Sequence, residues 1–432
     1  MLLTDYLGSR STPTPNASAN GSGTVVRSSV GSGRSTPVDR RVLSVLERTL
    51  AYARERDYTG WDYGDGMSSR LWRTVPIDNK WLNLAFQEVV KRSPVNIRPL
   101  LLVEQRRNYK GGALFAVANW NRHELSGVTD GEPTTDYAEE TRRLLDWLVD
   151  AGSEGHSGFG VGHPHDIQDL QGYAEAGIPD AVVTSYAVRA LLCGADLDPN
   201  YAEVARNAAD FVVEDLRYRE FDDGTARITY SENHPGSYYT LNAGALGGRL
   251  FVDLHEHFGR DRYRDRARRI LDYIVECQKP CGGWLYRDPP SASHLSMDNH
   301  HNGFILESLQ RYREVTGDRR YDDAIESSLS FHRSTLFDDD GAPNFDESST
   351  YPRDIHACAQ GILVFTYAGD LAFARHIIEW TLENLYAGGG RFYFQKCRFH
   401  TKRVTLMRWC QAWMAYALSE YATVAADLGT ET

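Results

Sequence analysis

From Val42 onward the apolar positions fall on one helical face, with Val42, Leu43, Leu46 and Leu50 at the spacing of a buried stripe. Pro37-Val38-Asp39 stands just ahead of them as a helix start, so ordered chain is predicted to begin there. Residues 8–37 read differently, being Ser, Gly, Thr and Pro with almost no large apolar side chains. Such a segment buries too little surface to offset its ordering entropy, and residues 1–37 are predicted to be a disordered tail.

Beyond the tail the pattern repeats. Gly259-Arg-Asp-Arg-Tyr263, Gly317-Asp-Arg-Arg-Tyr321 and Gly369-Asp-Leu-Ala-Phe373 each close one helical pattern and open the next, and Asp196-Leu-Asp-Pro-Asn-Tyr201 is a looser copy. Glycine after one helix and aspartate before another are the stop and cap signals of a helical hairpin. The steps from Tyr201 to Tyr263, Tyr321 and Phe373 are 62, 58 and 52 residues. Solenoid repeats of about 33–47 residues are too short for this. Each hairpin is followed by a glycine-rich aromatic segment, such as Gly283-Trp-Leu-Tyr286 or Gly389-Gly-Arg-Phe-Tyr-Phe394. Alternate helices carry small side chains (Ala243-Gly-Ala-Leu-Gly-Gly248; Ala357-Cys-Ala-Gln-Gly361) that let helices crowd together inside a ring. The pattern predicts an all-α fold, an (α/α)6 toroid in one domain over residues 38–425, with a short tail at 426–432.

Composition narrows the function. The 432 residues carry a net charge of −12, which argues against a nucleic-acid binder. No run of about 18 apolar residues occurs, so no integral membrane segment is expected. Met1-Leu-Leu-Thr-Asp5 lacks the basic and apolar regions of a secretory signal, and a cytoplasmic protein is expected. Six lysines against 41 arginines is the bias a GC-rich genome leaves. The six cysteines lack a second Cys/His pair at zinc spacing and read as free thiols. No phosphate-binding glycine loop or nucleophile elbow is present, so no cofactor is called for.

In a ring, the loops entering the inner helices converge on one mouth. Counting from the repeat tyrosines, Asp180, Asn242 and His300 share a register, which predicts that they face one opening. Asp and Asn also serve as helix caps, whereas His is a poor one. Around them Asp298 stands beside His300 and His301, and Arg353-Asp354-Ile-His356 sets a carboxylate near an imidazole and a guanidinium. Glu232 and Tyr239 add an acid and a phenol, and Asp62 is a further polar candidate. Carboxylates, imidazoles and phenols held by neighbours are what general acid–base chemistry requires. His163, His165 and Asp166 have ligand-type side chains but no distal partner pair, so no metal is assigned.

The ring with aromatic-rich loops resembles the six-hairpin glycosidase superfamily, which includes unsaturated glucuronyl hydrolases, and is similar to uronate-acting lyases and epimerases. Gly60-Trp-Asp-Tyr-Gly-Asp-Gly66, Val90-Lys-Arg-Ser-Pro-Val-Asn-Ile-Arg-Pro99, His301-Asn-Gly-Phe304 and Tyr351-Pro-Arg-Asp-Ile-His-Ala-Cys-Ala-Gln360 resemble, more closely, the haloarchaeal AglQ-like family of soluble S-layer N-glycosylation proteins. The resemblance spans about residues 40–425 and implies work on a hexuronic acid of a lipid-linked or nucleotide-linked glycan.

Three functions are weighed. The leading one is an isomerase or epimerase of a hexuronic acid, with His300, His301, His356 or Tyr239 carrying protons and Arg353 or Arg403 holding the carboxylate. The second is a glycoside hydrolase with Asp298, Asp354 or Glu232 as its carboxyl pair. The third is a glycan-binding protein without turnover.

Overall fold

The computed structural model describes residues 39–76, 79–127, 135–168 and 172–430; the predicted N-terminal tail lies outside them. In chain order the helices are α1 (Arg40–Arg54), α2 (Arg70–Arg73), α3 (Lys80–Arg92), α4 (Tyr109–Glu124), α5 (Tyr137–Asp150), α6 (Ala181–Cys193) and α7 (Pro199–Asp210). They continue as α8 (Leu241–Phe258), α9 (Asp261–Glu276), α10 (Asn299–Thr316), α11 (Asp322–Phe331), α12 (Ile355–Tyr367), α13 (Leu371–Asn384) and α14 (Trp413–Thr430). The last helix runs through the stretch expected to be a tail after residue 425.

Helices α4, α6, α8, α10, α12 and α14 each pack on the next, and α14 packs back on α4, which closes a ring. Outside it, α5, α7, α9, α11 and α13 each lie against the inner helix just before them, and α1 covers α14. The fold is therefore an (α/α)6 barrel whose sixth hairpin joins the two ends of the described chain. Small residues permit the close inner packing. A Cβ on Gly303 of α10 would sit 2.1 Å from Gln360 Cγ on α12, and one on Gly247 of α8 would sit 2.3 Å from Ile228.

The stop and cap signals work as read. Gly259 and Gly317 end α8 and α10 in the left-handed region, at φ 63° and 67°. Asp198 and Asp370 cap α7 and α13 through side-chain bonds to backbone N–H groups. The repeat tyrosines are buried at the starts of outer helices. Tyr201 and Tyr321 donate to Asp146 and Asp272 on the preceding outer helix, so one bond recurs with the sequence repeat. Among the aromatic segments, Trp284, Phe392 and Phe394 are buried in the core, while Tyr286 lines the mouth described below. All strand pairs among the described residues are antiparallel ribbons of two or three residues in the loops.

Candidate active site at the ring mouth

The inner helices begin at one end of the ring with a shared polar layer. Asn108, Asp180, Asp298 and Asp354 cap α4, α6, α10 and α12, each accepting a bond from backbone N–H in the first turn. Two residues past the six cap positions stand Lys110, Val182, Asn242, His300, His356 and Arg408, the last within the π-helical turn Met407–Ala412 that leads into α14. All six line one cavity of about 610 Å³. This layer lines the mouth of the barrel. It contains Asn242 and His300 as the repeat predicts, whereas Asp180 is a cap, one layer behind, with a carboxylate oxygen 3.8 Å from His163 Nε2.

Three imidazoles meet there. His300 and His356 stack with ring centroids 4.7 Å apart, and His300 and His301 are 4.1 Å apart. One Asp298 carboxylate serves two of them, with Oδ1 3.3 Å from His300 Nδ1 and Oδ2 2.6 Å from His301 Nδ1. His356 is 1% exposed, stacked on Trp413 and met edge-on by Trp409, and neither ring nitrogen has a hydrogen-bond partner. Burial, together with the other histidines and the charges of Lys110 and Arg408, holds His356 well below the ordinary imidazole range. Burial likewise brings His300 down to about 3, against the opposing pull of Asp298. Both rings are neutral at physiological pH.

Two cations stand in this layer. Lys110 is buried, with its ammonium 5.7 Å from the Tyr186 and Trp413 ring centres and 5.8 Å from that of Phe304. Burial and the nearby Arg408 charge lower it to about 7. Arg408 donates from Nε to Asp62 Oδ2 at 2.8 Å, and the same oxygen accepts from Asn108 Nδ2 at 2.8 Å. Asp62 thus acts from beneath the cavity, by fixing Arg408. Its loop is fastened by a buried pair, Arg98 Nε to Asp65 Oδ1 at 2.8 Å, while Asp65 Oδ2 accepts from the Asp62 backbone N–H. Residues 60–66 and 90–99, two strings read together in the sequence, meet through this contact.

Asp354 lines the same cavity, but both its oxygens are engaged. Oδ1 accepts from His356 N and Trp409 Nε1, and Oδ2 accepts from Gln395 Nε2 at 2.6 Å. A short ribbon pairing Arg353–Asp354 with Gln395–Lys396 holds it in place. Burial raises its carboxyl to about 6.

Four predicted residues lie elsewhere. Arg353 turns away from the cavity and pairs with Asp338 Oδ2 at 2.6 Å. Arg403 lines a separate cleft of about 290 Å³ with Tyr52, Arg56 and Arg391. Glu232 is 39% exposed and lies 3.6 Å from His156 Nδ1. Tyr239 packs edge-on against Tyr273 with Arg227 over its ring. Beside Arg353, its neighbour Asp354 reaches the mouth instead. Lys110 and Arg408, the cations of this layer, were not singled out in the sequence; Lys91 and Arg92 of α3 add two more at the rim.

Asp298, His300 and His301 are the one group among the described residues with metal-ligand spacing, their ligand atoms lying within 4.8 Å of one another. Both Asp298 oxygens already face histidine nitrogens, and Lys110 and Arg408 oppose a second positive charge. His163 and His165 stand 6.3 Å apart by ring centroids, and only His163 lines the cavity. A larger cavity, about 1090 Å³, opens at the other end of the ring. There Arg189 and Arg249 both pair with Glu307, and Arg311 pairs with Asp253, so its charges are internally compensated. The mouth cavity is the one with neutral imidazoles beside cations.

No family model matches the chain, and a comparison with curated proteins finds no match. Solved structures do resemble it. A sugar epimerase from a ruminal bacterium aligns at a TM-score of 0.57 and 15% identity, over 74% of this chain and 90% of that one. A D-mannose isomerase aligns at 0.57 and 9% identity, over 88% and 97%. An unsaturated glucuronyl hydrolase specific for heparin aligns at 0.57 and 14% identity, over 88% and 96%. At such identities the likeness speaks to architecture: the chain has the six-hairpin, (α/α)6 fold of these structures.

Proposed function

We propose that this chain is a carbohydrate-active enzyme, an isomerase or epimerase that moves a proton at the carbon beside the carboxylate of a hexuronic acid. The observation that carries the reading is the shared register of His300, His356, Lys110 and Arg408 around one cavity. Taking a proton from such a carbon needs an uncharged base and a place for the electron pair. The base accepts the proton, the pair moves into the carboxylate as an enediolate, and Lys110 and Arg408 stabilise the added charge. A second imidazole, protonated from solvent when the anionic substrate binds, returns that proton to the opposite face; the substrate leaves inverted and the first base gives its proton back to solvent. Bonding of its Nδ1 to Asp298 leaves Nε2 of His301 as a proton-accepting nitrogen. An anionic substrate would offset the cationic repulsion that lowers His300 and His356, raising their basicity once it is bound. The sequence of steps is redox-neutral.

Likeness to a sugar epimerase and a mannose isomerase supports proton transfer, and likeness to a glucuronyl hydrolase supports a uronic acid. A lipid-linked or nucleotide-linked glycan as carrier, and S-layer N-glycan assembly as setting, rest on the resemblance of residues 60–66, 90–99, 301–304 and 351–360 to the haloarchaeal family. The second reading, a glycoside hydrolase, is favoured by Asp354, whose raised carboxyl suits a general acid. Its three hydrogen bonds weigh against it. Incubation with free, nucleotide-linked and lipid-linked glucuronate and galacturonate separates the cases. An isomer of unchanged mass is expected. Products that have gained water would identify a hydrolase, and saturable binding without turnover a glycan-binding protein.

A further inference from the structure

Helix α3 turns much of its apolar surface outward. The face it turns to the protein buries Asn83 and Gln87 with Val90, whereas Trp81, Leu82 and Val89 point to solvent at 65%, 45% and 58% exposure. The inward polar groups are bonded. Asn83 Oδ1 accepts from Trp72 Nε1 at 3.0 Å, and Gln87 Nε2 donates to the Gln168 carbonyl at 2.9 Å. Water-soluble helices present the reverse arrangement, so the outward apolar face needs a partner.

The face does not stand alone. Leu71, Val75, Val95, Leu100 and Leu102 are exposed beside it in sequence, and residues 71–102 contain eight of the thirteen exposed large apolar side chains among the described residues. These pieces are fastened together: Trp72 stacks on Phe86 of α3 at 4.2 Å, and Arg70 N–H donates to the Leu102 carbonyl. Leu102 is held at φ 51°, a conformation unfavourable for leucine, while remaining exposed. The inner side of α3 meanwhile supplies Leu84, Gln87, Glu88 and Lys91 to the rim of the mouth cavity.

Charge selects the occupant. Arg70 to Arg107 carries seven basic side chains that are not buried and three acidic residues, in a chain of net charge −12. Arg70 and Arg92 flank the apolar face at 74% and 78% exposure, and Lys80 lies over the Trp81 ring. Exposed apolar side chains with a tryptophan among them, ringed by basic residues, match the boundary of an anionic bilayer. In a two-fold pair of this chain the same basic excess would face itself. We propose that α3 and the flanking 70–73 and 95–102 segments dock on an anionic lipid surface, with the ring mouth held at the membrane boundary. This stands independently of the reaction proposed above.

The test is cosedimentation of the intact protein with phosphatidylcholine vesicles and with vesicles rich in phosphatidylglycerol. Binding to the anionic vesicles, weakened by high salt, is expected. Trp81→Ser with Val89→Ser should reduce it by about tenfold or more, because both side chains leave water on docking. Being exposed, these changes should leave the thermal melt unchanged, which confirms the fold of the variant. Absence of binding to anionic vesicles, or binding indifferent to the double substitution, would overturn the proposal. So would sedimentation showing a dimer that the substitution converts to monomer, since the face would then belong to a second copy.

Discussion

His300 and His356 occupy the same turn of adjacent inner helices, with ring centroids 4.7 Å apart and planes inclined by 27°. Two imidazolium ions would repel at this distance, so the stack requires at least one neutral ring. Replacing His356 with Phe keeps the packing against Trp409 and Trp413 and removes the proton carrier. Turnover should fall by about 100- to 10,000-fold. Stability should hold or rise, because two unpartnered buried nitrogens disappear. A purely structural histidine would give the reverse, a lower melting temperature with turnover retained in the folded fraction.

Lys110 gives a pH signature. Its folded value, about 7, lies below that of a free lysine. Between about 7 and 10.5 the unfolded chain binds the additional proton, so this group makes stability rise with pH across that window. Below about pH 7 the full cost of the buried charge is present. Lys110→Met should therefore raise the melting temperature at pH 6, by a stability gain of about 1 kcal/mol or more, while weakening binding of a uronate. In the native protein, uronate affinity measured by calorimetry should fall as pH rises through about 7.

Asp62 holds Arg408 from below the cavity at 2.8 Å, with both side chains nearly fully buried. Asp62→Ala leaves a buried guanidinium without its carboxylate and should cost about 3–5 kcal/mol in denaturant unfolding. Asp62→Asn should cost less and still lower turnover, since Arg408 loses its charged anchor.

Residues outside the cavity should behave differently. Arg353→Lys, Tyr239→Phe and Glu232→Gln are expected to keep kcat/KM within about twofold, and the Arg353 change should cost no more than about 1 kcal/mol of stability. A large loss of turnover with Arg353→Lys would return the carboxylate clamp to that residue.

Much of the barrel was legible because its hairpins repeat in chemistry as well as in length. The same tyrosine that marks the period donates to the same kind of aspartate in two outer helices. The site was less legible. Asp180, Asn242 and His300 are equally far from their tyrosines, yet α6 has 13 residues where α8 and α10 have 18, so equal counting placed a cap among mouth residues. Arg408 escaped because α14 pairs with α1 from the opposite end of the chain, leaving no linear repeat to mark it. Lys110 escaped for a related reason, since it precedes the first recognisable copy of the repeat motif at residue 196. Arg353 and Tyr239 were misplaced because they lie in two-residue strands, where neighbouring side chains point to opposite sides; Asp354 faces the mouth while Arg353 faces Asp338.

The most direct test is solvent exchange. The protein is incubated with a hexuronic acid substrate in D2O and the sugar is followed by proton NMR. Proton transfer through His300 and His356 predicts loss of the signal at the carbon beside the carboxylate, as deuterium enters there with inversion. Release of a reducing sugar with every ring hydrogen retained would contradict it.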